Sequence, residues 1–481
     1  MDAGNTNYRP FYLFTFAVIT FLVLPFLLQD GMFMDGVQYA CVSKNLADGK
    51  GSFWFPILSR TWSRQNSLYF MEHPPLFYGI ESLFFKLFGS SIYTERIFSF
   101  SLLLSTAFFI HMIWKISSTY VGQHKTTSWF PVILWIITPV CFWTYQNHMI
   151  ETLLSVFTLA SVYFTLRGLF KEKYKVPNFV LSGALIYCAF LTKGFPGLFP
   201  LVAVPLFYVT LKRISLKEAL FYTGVVLLTF IVIYVAVIIT NHHAKESLEF
   251  YLTKRLLNRI EVTSTINYRL FILRDLFFEF LPSVLICLVL CFFSRKQRGY
   301  TSLKSTDKQL FLFMLLLGFS GSVPLMITMV QKNFYLVPSI PFFALSLAYI
   351  NSDFIHKQTT LMVLNPKYRK RLNIAAFVML ITVLLFSGSQ MGKISRDESL
   401  LNEVRVVGNY LQKEELVGVD PETYLSWSFQ FYLLRNHDIQ LDPKNKFRKY
   451  FITKTSPELN EKYQYTQISL PTNEYKLYRL N

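Results

Sequence analysis

The chain has 481 residues, 52% of them apolar and 17% aromatic, and only 16% are charged, where a soluble domain carries about a quarter. That balance excludes an ordinary soluble globule and points to an integral membrane protein, in which a net charge of +18 reports basic cytoplasmic loops before it reports nucleic acid. The five cysteines, Cys41, Cys141, Cys188, Cys287 and Cys291, lie in apolar runs except Cys41 and provide no disulfide framework.

A bilayer core about 30 Å thick takes roughly 20 mostly apolar helical residues. Eleven stretches of this kind fall near 11–29, 95–114, 129–146, 151–168, 178–192, 195–211, 219–240, 275–293, 308–330, 334–350 and 372–389. The segment Pro74 to Phe88 is shorter than a span and is interrupted by Glu81 and Lys86, which suits an interfacial amphipathic helix. Basic clusters near 171–175, 212–217, 295–308 and 367–371 then share one side, and the positive-inside rule makes that side the cytoplasm. The other side receives loops near 30–94 and 241–274, the turns at 147–151, Lys193 and Lys332, and the chain after 390.

The composition changes in the tail. A helical pattern over SLLNEVRVVGNYLQ, the apolar run LVGV, a second amphipathic pattern over ETYLSWSFQFYLLR and short strand-like runs ending in EYKLYRLN predict alternating helix and strand. The expected fold is an all-α polytopic membrane domain of about 11 to 13 transmembrane helices over 1–390, with a small extracytoplasmic α/β domain over 391–481.

The polar residues of chemical interest gather at the face opposite the basic clusters. Asp35 stands where a helical pattern starts after the first span, and it reads either as an N-cap worth about 1 kcal/mol or as a reactive carboxylate. Glu72 and His73 precede Pro74 and Pro75 at the mouth of the interfacial helix, where a solvated helix start is the plain alternative. Glu151 begins the fourth span and could merely snorkel to the headgroups. Lys193, Lys332 and the loop cations Lys254, Arg255, Arg259, Arg269 and Arg274 repeatedly break the positive-inside rule at this face, which asks for an anionic partner there. Carboxylates and cations so placed fit transfer from a lipid phosphate, the cations neutralising the leaving phosphate and a carboxylate taking the acceptor's proton.

The order Asp35-Gly-Val-Gln-Tyr39, Glu72-His-Pro-Pro-Leu76, Phe88-Gly89, Glu95-Arg96, Glu151, Leu191-Thr-Lys-Gly194 and Lys332-Asn-Phe-Tyr335 with Pro338 resembles the GT-C glycosyltransferases. The bacterial branch holding lipid A aminoarabinose transferase and the relatives of protein O-mannosyltransferases are the nearest in pattern, over about residues 10 to 350, with a weaker echo at Ser426 to Arg435. The resemblance implies that Asp35 is the catalytic carboxylate and Glu151 the second acidic group, where the family more often has Asp. It implies that Lys193, Arg259, Lys332 and Tyr335 surround the donor phosphate. Glu72 matches a position that helps hold a divalent metal in the aminoarabinose branch, His73 replaces a lysine there, and the branch's histidine ligand has no match in this chain.

The reading that follows is a multi-pass glycosyltransferase of a bacterial inner membrane, with its site on the periplasmic face. It would transfer a sugar from an undecaprenyl-type phosphate to a lipid A-like lipid, a glycan or a protein, inverting the anomeric centre. A transporter or flippase of lipid-linked sugars is the alternative, and it would show ionisable groups at mid-span and broken helices in paired halves. A non-catalytic subunit of an envelope assembly would leave Asp35 dispensable.

Overall fold

In the computed structural model, residues 8–62, 67–120, 125–171, 174–256, 264–298, 305–445, 447–454 and 465–481 are described. Arg259, and parts of the basic clusters near 171–175 and 295–308, lie outside these residues. The helices in chain order are α1 Arg9–Leu27, α2 Met34–Ala47, α3 Leu76–Phe88, α4 Thr94–Tyr120, α5 Trp129–Ile136, α6 Pro139–Gln146, α7 Glu151–Phe170, α8 Lys175–Lys193, α9 Ala203–Leu211, α10 Leu216–Thr240, α11 His242–Phe250, α12 Phe271–Arg298, α13 Ser305–Ser322, α14 Ile340–Leu364, α15 Pro366–Gly388, α16 Glu398–Tyr410, α17 Pro421–Tyr424 and α18 Trp427–His437. The strands are β1 Leu416–Val419, β2 Gln440–Asp442, β3 Tyr450–Thr453, β4 Tyr465–Ile468 and β5 Lys476–Leu480.

Helix falls within each of the eleven stretches expected to span, though several are only partly helical. Among the described residues eight helices are long and apolar enough to cross a membrane, or up to nine if the bent pair α5 and α6 counts as one span. The stretch 195–211 is a shorter apolar helix, and that near 334–350 falls on the 3-10 turn Asn333–Leu336 and the first half of α14. The outer helices bury little of themselves: Leu220, Phe221, Leu228, Val232 and Ile239 of α10 all stand exposed, a surface that only lipid can solvate without aggregation.

The chain divides into two compact units. The first comprises 1–27, 99–146 and 150–391. Its helices approach closely through small and hydroxylic residues: Ser182 of α8 lies 2.8 Å from Ser161 and from Thr165 of α7. Gly183 of α8 meets the Val226 carbonyl of α10 so closely that a Cβ would lie 2.5 Å from it. α10 starts in a capping box, with the Ser215 hydroxyl accepting the Glu218 N–H while the Glu218 carboxylate accepts the Ser215 N–H.

The break between α5 and α6, a bend of 77°, would strand backbone groups in an apolar setting. α12 supplies partners for both ends. The Ser283 hydroxyl donates to the Leu134 carbonyl at 2.6 Å, and one oxygen of Glu279 accepts the Val140 N–H at 2.8 Å. Pro139 at the first position of α6 has no N–H to satisfy.

The second unit comprises 28–98, 147–149 and 392–481, so the first loop and the tail form one body. Its mixed sheet has the order β2-β1-β3-β5-β4, parallel across β2, β1 and β3 and antiparallel across β3, β5 and β4. Long-range polar ties join loop to tail. Arg435 of α18 donates to Glu95 at 2.7 Å and to the carbonyls of Ser90 and Ser91, with both charged side chains buried. Lys44 of α2 pairs with Asp438, Arg405 of α16 pairs with Asp30, and the Tyr432 hydroxyl accepts the Met32 N–H. All five cysteines are free, and burial pushes the Cys41 thiol up to about 12, which keeps it protonated and inert.

Candidate functional site

The first unit holds a buried ion pair built on the ends of two antiparallel helices. Glu151 is the first residue of α7 and Lys193 the last of α8, the ends where helix dipoles favour a carboxylate and an ammonium respectively. The two side chains are ion-paired and only 1% and 6% exposed. The Lys193 ammonium also lies 4.1 Å from the Tyr335 ring centroid and 5.9 Å from that of Phe334. The second Glu151 oxygen is buried without a hydrogen-bond partner among the described residues.

Gly194 ends α8 with φ +78, and its position is closed to any side chain because a Cβ would lie 2.1 Å from the Tyr251 hydroxyl. That hydroxyl donates to the Lys193 carbonyl at 3.1 Å, so the end of α8 is fixed on both its backbone and its side chain. The turn carrying Phe334 and Tyr335 is held as well. Asn333 donates to the free oxygen of Glu279 at 2.9 Å, and Phe334 stacks on Trp143 of α6 with centroids 5.9 Å apart. Glu279 therefore ties the start of α6 to the turn 333–336. The sequence carries a signal for this residue, an acid one turn after Asp275 inside an apolar span, where ionisable groups are functional by default.

Of the cations expected around a phosphate, Lys193 is buried in this ion pair beside Tyr335. Lys332, immediately before the turn, has an exposed side chain, and Arg259 lies outside the described residues.

In the second unit Asp35 is half-buried in the first turn of α2. Phe33 occupies the N-cap position without a side-chain cap, so the alternative reading of Asp35 as the N-cap does not hold. Asp35 lies one residue inside the helix, where its backbone is already helical. Tyr39 follows one turn later on the same face, and its hydroxyl lies 3.5 Å from His73 Nε2. His73 is thus brought to the face of α2 that carries Asp35, and Glu72 is the half-buried residue before it. No group of three or more His, Cys, Asp or Glu side chains able to hold a metal occurs among the described residues. Glu72 and His73 are therefore not part of such a group among the described residues.

Residues 72–239 match the family model described as dolichyl-phosphate-mannose-protein mannosyltransferase. The structure of ArnT from Cupriavidus metallidurans bound to undecaprenyl phosphate superposes with a TM-score of 0.65 at 15% identity, covering 97% of each chain. The fold is the GT-C fold of ArnT. The same protein in its apo state gives a TM-score of 0.63 at 15% identity and the same coverage. The Archaeoglobus fulgidus oligosaccharyltransferase gives 0.54 at 10% identity, covering 94% of this chain and 70% of its own. No curated protein sequence matches the chain. The ArnT-like fold, with its apolar helices and small terminal sheet, is that of a multi-pass membrane protein.

Proposed function

We propose that this GT-C-fold protein is an integral-membrane glycosyltransferase that moves a sugar from a polyprenyl phosphate to an acceptor outside the cytoplasm. The observation that carries the reading is the buried Lys193, held by Glu151 and stacked on Tyr335. A desolvated ammonium of this kind is the group needed where a phosphate monoester departs. The match to a mannosyltransferase family and the likeness to a protein crystallised with undecaprenyl phosphate support the same donor class.

In the reaction an acceptor oxygen attacks the anomeric carbon and displaces the phosphate oxygen from the opposite face, which inverts the centre. The acceptor's proton passes to the Asp35 carboxylate, and the electron pair of the broken bond leaves on the polyprenyl phosphate. Lys193 neutralises that new charge, with Lys332, Arg259 and Tyr335 as further phosphate contacts and Glu151 as the second acidic group. An acceptor that is itself an ionised phosphate needs no base, and Asp35 then orients it. A lipid A-like lipid, a glycan or a protein are the acceptor classes in view, on the periplasmic face of an inner membrane.

Native mass spectrometry of the purified protein tests the donor class. A co-purifying polyprenyl phosphate or its sugar-loaded form supports the reading; exchange of the bound lipid for ordinary phospholipid, with no binding of added undecaprenyl phosphate, overturns it.

The transporter alternative calls for broken helices in paired halves. Among the described residues there is one bent pair, α5 and α6, and its loose ends are stitched by Ser283 and Glu279.

A further inference from the structure

The first turn of α2 is held by a segment far from it in sequence. The N–H of the N-cap residue Phe33 donates to Asn147 Oδ1 at 2.8 Å, which ties the entry to α2 to this segment. Gly36 rests on the Asn147 carbonyl so closely that a Cβ would lie 2.1 Å from that oxygen. The path of Asn147 is set in turn by His148, whose φ of +55 is a left-handed conformation uncommon for a residue with a side chain. The His148 ring is fully buried, with the rings of Phe77 and Phe98 at 5.3 and 5.9 Å. Its Nε2 stands 2.7 Å from Glu81 Oε1, a close contact out of line with ideal hydrogen-bond geometry. The other Glu81 oxygen accepts the Ser43 hydroxyl at 2.6 Å, and Ser43 is back on α2.

These contacts close a ring that leaves α2 at Ser43, passes through Glu81, His148 and Asn147, and returns to α2 at Phe33 and Gly36. Asp35 lies between the two points of attachment. We propose that Glu81 and His148 are positioning residues that fix the first turn of α2 and so aim the Asp35 carboxylate. Neither touches the reacting atoms. The two side chains are buried side by side, and the Ser43 hydroxyl bonded to Glu81 ties the pair to α2. The proposal rests on the reading of Asp35 as the catalytic carboxylate.

The test uses the full-length protein in lipid nanodiscs with a total membrane extract that supplies both the polyprenyl-phosphate sugars and the acceptor. Single-turnover release of polyprenyl phosphate is read by mass spectrometry. A misplacement of about 1 Å can cost on the order of a hundredfold in rate, so Glu81→Gln and His148→Gln should slow turnover by about ten- to a hundredfold while the donor KM stays within about twofold. On an Asp35→Asn background neither should slow it further, because the effect runs through Asp35. Ser43→Ala, which removes only the hydroxyl at Glu81, should give a smaller loss that is again absent from that background, and it decides the matter if the Gln variants do not fold. Wild-type turnover in folded Glu81→Gln, His148→Gln and Ser43→Ala proteins would overturn the proposal, as would losses that multiply with that of Asp35→Asn. Wild-type turnover by Asp35→Asn itself would instead remove the functional reading on which the proposal stands.

Discussion

Glu151 and Lys193 neutralise each other inside the first unit, at the start of one helix and the end of its antiparallel neighbour. The pairing changes how the donor site must be probed. Removing one member of a buried ion pair costs about 3–5 kcal/mol because the other charge is left uncompensated. Lys193→Ala should therefore lower thermal stability in detergent as well as donor binding, and the single variant confounds the two. The double variant Lys193→Met, Glu151→Leu replaces both charges by apolar groups and should recover most of the lost stability. Binding of undecaprenyl phosphate should stay weakened by about one to two orders of magnitude, the worth of a charge-assisted hydrogen bond. Recovery of binding along with stability would remove Lys193 from the phosphate site.

Glu279 should act on donor affinity from a distance. Glu279→Ala strips the acceptor from the Val140 N–H and from Asn333, and each buried unsatisfied group costs about 1–3 kcal/mol. Loosening the turn that carries Tyr335 is expected to raise the donor KM by about tenfold while kcat changes less. Glu279→Gln, which keeps one acceptor oxygen, should fall between. Steady-state kinetics on the two variants check this, and an effect confined to kcat would contradict it.

The tail carries a pH-dependent element of stability. Burial pushes the Asp442 carboxyl up, but the Arg448 guanidinium at 2.7 and 3.0 Å and the N–H groups of Lys444 and Asn445 outweigh it and hold the group below the usual carboxylate range. A carboxyl with a folded pKa below its unfolded value of about 3.9 contributes stability that is complete above that value and disappears as pH falls through the folded pKa. Hydrogen exchange at residues 440–445 should thus accelerate as pH is lowered past about 4, after correction for the intrinsic rate. Asp442→Asn should show the faster exchange already at neutral pH and no such acid step.

The sequence made some of this legible and left the rest hidden, for physical reasons. Spans are legible because lipid demands about 20 apolar residues in a row, and the tail because its period changes from that of a helix to that of a strand. The break in α5 and α6 was hidden, since residues 129–146 read as one largely apolar run with only Thr138 and Pro139 at the break. Asp35 and Lys193 stood out as charges in unexpected places. Glu81, His148 and Glu279 did not, because each has a role only through partners distant in the chain: Glu81 meets Ser43 across 38 residues and Glu279 meets Val140 across 139. The union of the first loop with the tail was equally out of reach, resting on pairs such as Lys44 with Asp438, 394 residues apart.

The most direct test of the account is the fate of the lipid-linked sugar in membranes containing wild-type protein or Asp35→Asn, followed by mass spectrometry of the sugar-loaded and free polyprenyl phosphate pools. Because Phe33 and not Asp35 occupies the N-cap position, loss of the Asp35 charge should leave α2 formed. General-base contributions run at about a hundredfold to ten-thousandfold. The account predicts that wild-type protein converts the loaded carrier to free polyprenyl phosphate, and that Asp35→Asn does so at least about a hundredfold more slowly with the loaded lipid still bound. Equal conversion by wild-type and folded Asp35→Asn protein would contradict it.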